Sequence, residues 1–314
     1  MADIKKIATR ESYGNALAEL GDKYDIIVLD ADLSKSTKTE VFKKKFPERF
    51  INMGIAEANM MSTAAGLASC GKTVFASSFA MFAAGRAFEQ IRNSICYPCL
   101  NVKIGATHAG ISVGEDGATH QCLEDISLMR TLLNMVVINP ADDTEAKAAV
   151  KAAIEHNGPV YLRFGRLSVP VIFDDSYKFE IGKGVMLKEG TDVTLVATGL
   201  LVETALKASE ILANEGISAR VINIATIKPI DREIISKAAM ETGALVSCEE
   251  HNIIGGLGSA VAEVLCETHP APLMRIGTKD VFGKSGKPDK LFEDYGLTAE
   301  AIVESAKKAI ALKK

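Results

Sequence analysis

The chain predicts an α/β protein of two consecutive domains, each a mostly parallel sheet flanked by helices. Three observations carry this. Short apolar runs bounded by turn residues alternate with longer stretches of helical spacing along nearly all of the 314 residues. Repeated β-α units of this kind form parallel sheets, because a crossover helix returns the chain to the same edge. The alternation breaks between about 169 and 190, where Pro170, Asp174-Asp175-Ser176, Gly182, Gly184 and Gly190 mark an irregular connection. This places one domain at 1–170, a linker at 171–190 and a second domain at 191–314, each long enough for its own core. No internal repeat of fixed short period occurs.

The elements come in a regular order. Residues 25–29 are an apolar run ended by Asp30-Ala31-Asp32 and read as a strand. Residues 58–69 are apolar and alanine-rich, a buried helix, and 73–76 form a short strand. From 79 to 95 the spacing is helical, with Phe79, Phe82, Phe88 and Ile91 on the apolar side. Strands are expected at 100–105 and 135–139, with a helix at 123–132 between them. A helix comes next at 142–155, with Asp142 or Asp143 placed to cap its first N–H groups, and then a strand at 160–163. In the second domain, strands are expected at 193–198, 219–223 and 244–248. Helices are expected at 202–214, 232–240, 257–266 and 299–312.

Composition excludes several classes. Hydrophobic residues make up 47% and charged residues 24%, ordinary for a globular protein. A net charge of −4 gives no reason to expect nucleic acid or a membrane surface as partner. Lys43-Lys44-Lys45 is short enough to be a solvated helix end. No apolar run of about 18 residues occurs, so no membrane span is expected. The start, Met-Ala-Asp-Ile-Lys-Lys, lacks a signal peptide's apolar core, so the expected location is cytoplasmic. The six cysteines are scattered. Cys96-Tyr-Pro-Cys99 has C-x-x-C spacing but stands alone, at the end of a helical pattern, and reads as buried free thiols in a reducing compartment. Ile253-Ile254-Gly255-Gly256-Leu257-Gly258 is not a G-x-G-x-x-G dinucleotide loop and reads as a tight turn into a helix.

Chemistry concentrates in residues 107–121, Thr-His-Ala-Gly-Ile-Ser-Val-Gly-Glu-Asp-Gly-Ala-Thr-His-Gln. His108, Asp116 and His120 fall within thirteen residues, among three glycines, after an expected strand. The loop leaving the carboxyl end of a parallel strand is where ligands bind. Two imidazoles and a carboxylate there suit a polyhydroxylated or phosphorylated substrate and proton transfer near neutral pH. Glu57, in Gly54-Ile55-Ala56-Glu57, opens a helix whose next residues carry no charge. It is expected to face an apolar setting, which would raise its pKa and let it share a proton with a ligand nitrogen.

The 107–121 string resembles the G-E-D-G-P-T-H-Q substrate loop of transketolases, thiamine-diphosphate enzymes, with Ala118 in place of the family's proline. Gly54-Ile55-Ala56-Glu57 resembles the family's G-I-x-E, and Phe79-Ala-Met-Phe82 its F-x-x-F. Ala8-Thr9-Arg10, Ala31-Asp32-Leu33-Ser34-Lys35-Ser36 and Gly165-Arg166 resemble its sugar-phosphate segments. Phe282-Gly-Lys-Ser-Gly286 resembles its C-terminal F-G-x-S-G. The resemblance runs from Arg10 to Thr298. It implies a pyrimidine-binding domain followed by a transketolase C-terminal domain, and transfer of a two-carbon ketol unit between sugar phosphates. By the same resemblance Glu57 hydrogen-bonds N1′ of the aminopyrimidine, Phe82 stacks on that ring beside Phe79, and Asp32 lies near the cofactor. Arg10, Ser36, His108 and Arg166 would hold substrate phosphate, Asp116 a substrate hydroxyl, and His120 would sit beside the reacting carbon. Two arginines suit phosphate because the planar guanidinium forms paired charge-assisted bonds.

The family holds the diphosphate and its Mg²⁺ (or Ca²⁺) through a G-D-G motif. Here only Gly114-Glu-Asp-Gly117 approaches it, so no metal ligand is assigned to this chain. The resemblance is therefore to the C-terminal subunit of a split transketolase. An N-terminal subunit would supply the diphosphate and metal site, in an α₂β₂ assembly with the cofactor at the interface. Deoxyxylulose-phosphate-synthase-like activity, a 2-oxo-acid dehydrogenase β-type subunit and a non-catalytic binding paralogue are the alternatives. The nearly intact loop with His108 disfavours the first two, and the filled positions disfavour the third.

Overall fold

The computed structural model describes residues 5–313. The first sheet has seven strands in the order 226–228, 136–138, 160–163, 102–107, 73–79, 26–30, 50–52. Six of these run parallel; Thr226–Lys228 pairs antiparallel with Val136–Ile138. Apolar cores cover both faces, one built on Met60, Met61, Ile91 and Ile104, the other on Tyr13, Leu17, Phe42 and Phe75. The second sheet runs 273–278, 245–252, 193–197, 219–223, 185–188, and only Val185–Lys188 is antiparallel. This is the α/β arrangement that the alternating pattern predicts.

Two strands depart from the domain limits read from sequence. Val185–Lys188 lies within the stretch read as irregular up to Gly190 and pairs with Ala219–Asn223. Its flanking glycines hid a run of only four residues. Thr226–Lys228, well inside the second domain by sequence, completes the first domain's sheet. A three-residue strand carries too little periodicity to be read, and its placement is a long-range matter.

The helix read over 79–95 is also different. Strand Thr73–Phe79 extends to the first aromatic, so Phe79 and Phe82 do not share a helical turn. Beyond that strand the chain is irregular: π-helical Phe82–Arg86, a short α-helix Phe88–Gln90, and π-helical Ile91–Cys96. Wide turns of this kind shift the facing of every later side chain and occur often at functional sites. Helix Thr9–Leu20 carries only a weak sequence signal, since Thr9, Ser12 and Gly14 are among the buried residues of its first half. Phe50–Asn52, Leu273–Thr278 and Pro288–Asp294 likewise lie outside the elements expected from the sequence.

Other local readings match. Asp142 caps helix Asp143–Glu155 by accepting from Glu145 N. The Gly255-Gly256 turn enters helix Leu257–Glu267. Lys43, Lys44 and Lys45 are exposed in the last turn of helix Glu40–Lys45. All six cysteines are free; of the Cys96/Cys99 pair Cys96 is buried but Cys99 is exposed, which corrects the expectation for that half of the pair. Among the described residues no helix is long and apolar enough to cross a membrane.

Candidate active site

The site arises from the sheet. Parallel strands share a carboxyl end, so the loops leaving them meet at one edge. Strand Ile26–Asp30 leads to Asp32 and Ser36, Phe50–Asn52 to Glu57, Thr73–Phe79 to Phe82, Val102–Thr107 to His108, and Val160–Arg163 to Arg166. Arg10 arrives separately. Strand Lys6–Ala8 pairs antiparallel with Ser168–Pro170, and Thr9 Oγ1 accepts from Gly165 N at 2.9 Å. These contacts bring the first turn of helix Thr9–Leu20 against the Arg166 loop.

A continuous chain of contacts then joins most of the predicted residues. Arg10 Nη1 lies 3.0 Å from Ser36 O and 3.1 Å from His108 Nε2. A guanidinium can only donate, so Nε2 accepts and the ring proton sits on Nδ1, 3.0 Å from Thr107 Oγ1. Burial pushes the His108 pKa down to about 3, and the charges of Arg10, Arg166, His120 and Lys38 add to this. His108 is therefore neutral at neutral pH. Its backbone sits at φ 56°, a conformation a non-glycine residue adopts only under constraint. Its ring stacks on Phe79, centroids 3.8 Å apart. Phe79 stacks on Phe82 at 5.8 Å, and His120 meets Phe82 edge-on at 5.3 Å. Arg86 lies over Phe82, 4.1 Å from the centroid, and donates to Glu57 Oε1 at 3.1 Å.

Two kinds of chemistry result. At one end, Arg10, Arg166 and Lys38 all act on one neutral imidazole, and Arg10 Nε is buried without a hydrogen-bond partner. Burial lowers the Arg10 pKa, Glu11 opposes this, and Arg166 lowers it further. Lys38 is paired with Glu11 at 3.5 Å, but the two arginines and the unused buried donor suit an anionic group. At the other end, an almost fully buried carboxylate stands beside a half-buried aromatic ring. That pair fits a flat heterocycle with a hydrogen-bonding nitrogen, and the guanidinium now between them is flat as well.

The structure corrects one expectation here. Glu57 does not face an apolar setting alone, because Arg86 forms an ion pair with it. The apolar run after Glu57 gave no hint of Arg86, which comes from 29 residues further along. Arg86 and Lys38 are the residues missed from sequence. The only available signal for Arg86 was a cation shortly after the second aromatic.

The remaining predicted residues lie around this chain of contacts. Asp32 is exposed at φ 65°, with Oδ1 accepting from Asn52 Nδ2 at 2.8 Å. The 31–39 loop is held from below by Asp30, whose carboxylate accepts from Leu33 N, Thr37 Oγ1 and Thr39 Oγ1 at 2.6–2.8 Å. Asp116 is exposed and lies outside the contact chain, next to Glu115, which pairs with Arg166 at 3.6 Å. The loop that carries it, a 3-10 segment Ile111–Asp116, is broken at Gly114 (φ 85°, ψ −120°).

The second domain clamps this loop. Glu250 Oε1 accepts from Ser112 N, and Gly110 is needed opposite, since a Cβ there would come within 2.3 Å of that carboxylate. Gln121 Nε2 donates to Ile111 O, Gly114 O and Lys284 O. A Cβ on Gly283 would strike Gln121 Oε1 at 1.8 Å, and one on Gly117 would meet Ser285 Oγ at 2.6 Å. The Phe282–Gly286 segment is thus packed directly on the 110–121 loop.

Comparison with known proteins agrees with this layout. Residues 5–171 match the family described as "Transketolase, pyrimidine binding domain", and residues 182–302 match "Transketolase, C-terminal domain". The chain belongs to the transketolase family. That family depends on thiamine diphosphate. A "Putative transketolase C-terminal section" of Methanocaldococcus jannaschii is 55% identical over 299 residues, 94% of each chain. A "6-deoxy-6-sulfo-D-fructose transketolase subunit SqwH" of a Clostridium species is 44% identical, covering 95% of this chain and 92% of that protein. A solved structure titled "Split gene transketolase, inactive beta4 tetramer" superposes with TM-score 0.93 at 58% identity, over 98% of this chain and all of that one.

Proposed function

We propose that this chain is the catalytic C-terminal subunit of a split transketolase, moving a two-carbon ketol unit from a ketose phosphate to an aldose phosphate. One observation carries the reading: a single run of contacts links Glu57 and Phe82 to His108 and the Arg10 cluster at one edge of the sheet. A site for a flat heterocycle and a site for an anion therefore lie side by side.

Thiamine diphosphate supplies the electron sink of this chemistry. The chain's own residues supply binding and proton control. Glu57 holds or yields a proton at the pyrimidine nitrogen, and Phe82 provides a stacking face. Arg10, Arg166 and His108, with Ser36 on the adjoining loop, hold the substrate's terminal anion. Neutral His108 contributes as a hydrogen-bonding group rather than as a charge. His120 stands over Phe82 where a reacting carbon would lie, and Asp116 faces a substrate hydroxyl once sugar is bound. The diphosphate and its Mg²⁺ are assigned to an N-terminal subunit, in an α₂β₂ assembly in the cytoplasm. The relatives named as a section, a subunit and a split-gene product match nearly the whole chain, which supports this division.

The test is reconstitution. This chain, the partner, thiamine diphosphate and Mg²⁺ are mixed and assayed for transfer from xylulose 5-phosphate to ribose 5-phosphate, omitting each component in turn. Activity that needs both polypeptides is expected. Turnover that depends on pyruvate would overturn the reading. The cation cluster suits a sulfonate as well as a phosphate, so a parallel assay with a 6-sulfo ketose decides between the two anions.

A further inference from the structure

Arg86 makes two contacts at once. Its Nη1 donates to Glu57 Oε1 at 3.1 Å, and its guanidinium carbon lies 4.1 Å from the centre of the Phe82 ring. A guanidinium is flat, donates hydrogen bonds in its plane and stacks on aromatic faces. An aminopyrimidine is likewise flat and would stack on the same ring, while its ring nitrogen, which carries no hydrogen in the amino form, would accept the proton of the Glu57 carboxyl; both occupants thus use the same acid and the same aromatic face. Glu57 is only 4% exposed, and Arg86 holds one of its two carboxylate oxygens, Oε1. Phe82 is flanked too, by Phe79 at 5.8 Å and by the edge of His120 at 5.3 Å, in addition to Arg86.

Resting on the reading above, we propose that Arg86 and the cofactor's aminopyrimidine compete for one seat, so that Arg86 acts as a built-in place-holder that must swing out for the cofactor to bind. The local structure permits the swing. Arg86 ends the π-helical segment Phe82–Arg86, directly after exposed Gly85, and its side chain is 52% exposed. Rotation of its outer bonds moves the guanidinium into solvent without disturbing buried Ala83, Ala84 or Ala87. The place-holder keeps an otherwise unpaired buried carboxylate satisfied until cofactor and partner arrive. Because half of the arginine is in water, the competition is modest and salt-sensitive.

The experiment is a calorimetric titration of thiamine diphosphate, with Mg²⁺, into the assembled pair of subunits. Arg86→Met, of similar length and uncharged, is expected to tighten the dissociation constant by about fivefold to tenfold, since the tax of displacing the guanidinium is removed. Arg86→Lys keeps the charge but loses the flat stack, and is expected to tighten it by about twofold to threefold. In the unsubstituted pair, raising salt is expected to narrow the gap to Arg86→Met. An unchanged or weaker dissociation constant in Arg86→Met overturns the proposal. If that variant does not assemble, as judged by gel filtration, the same criterion applies to Arg86→Lys. Phe82→Ala in the same titration tests the parent reading separately. If it leaves cofactor affinity unaltered, the pyrimidine seat itself is wrong, whatever Arg86 does.

Discussion

Two clusters of ionisable side chains lie near strand ends of this protein, and they are built on opposite terms. The first, around Arg10, His108 and Arg166, gathers cations with no acid to neutralise them fully. Arg10 Nε is left without a partner, and Glu115 meets Arg166 only at 3.6 Å on the exposed side. The second, Glu249, Glu250 and His251 at the end of strand Leu245–Asn252, is fully buried, and its donors are all engaged although Glu250 Oε2 and the neighbouring Asp125 Oδ1 accept nothing. Glu249 accepts from Leu257 N and Gly258 N, capping the next helix, and Glu250 holds Ser112 N. Arg163 adds a bond to Glu250 O and a 2.8 Å ion pair to Asp125. Burial shifts pKa values in both clusters, so shifted titration alone does not mark a functional site. What separates them is what is left over: a cationic donor in the first, carboxyl oxygens in the second.

That comparison can be broken at four points. The largest effect is expected at Glu57, whose replacement by alanine should lower the kcat of the reconstituted enzyme on the order of 10²–10⁴-fold while the pair still assembles. A loss below tenfold would put the proton chemistry elsewhere. Next is Arg10→Ala. Removing one charged hydrogen-bond donor to an anion costs about 1.5–3 kcal/mol, so the KM for a phosphorylated donor should rise about tenfold to a hundredfold. The KM for an unphosphorylated ketose should hardly move; equal loss for both would mean the cluster is structural, like the second one.

Smaller again is Asp116→Asn. Its exposed carboxylate holds nothing in the folded chain, so stability should be unchanged within about 0.5 kcal/mol. The kcat/KM ratio between donors epimeric at a hydroxyl carbon should shift by about tenfold. The smallest effect on turnover is expected in the buried cluster, whose substitutions act on stability. Burial raises the Glu250 carboxyl to about 7 from its usual 4.5, despite Arg163 and Ser112 favouring the charged form. The folded chain therefore keeps this proton to higher pH than the unfolded chain does. Its contribution to stability is complete below about pH 4.5 and is lost as pH rises through about 7. Glu250→Gln cannot ionise, so the difference in melting temperature, variant minus parent, should rise between pH 5 and pH 8. A flat difference would show that Glu250 is not the buried titrating group. Glu250→Ala, by contrast, should destabilise at all pH values by about 1–3 kcal/mol, because Ser112 N is left without its acceptor.

Sequence alone determined the α/β class, since a period near two or near 3.6 is a local property that each apolar run displays by itself. Val160–Arg163 and Ala219–Asn223 were readable to the residue for that reason. It also determined which residue types sit on the strand-end loops, because Gly110, Gly114 and Gly117 with positive φ mark the loop between the two histidines. Tertiary structure decided the rest. No local signal could place Thr226–Lys228 in the first sheet, or bring Glu250 of the second domain under Ser112. The pairing of Glu57 with Arg86 depended on the π-helical turns at Phe82–Arg86, which re-aim side chains in a way a regular 3.6 spacing does not foresee. The physical reason is the same in each case. Backbone periodicity is set by neighbours in the chain, whereas the partner of a buried charge is set by whichever distant segment the packing delivers to it.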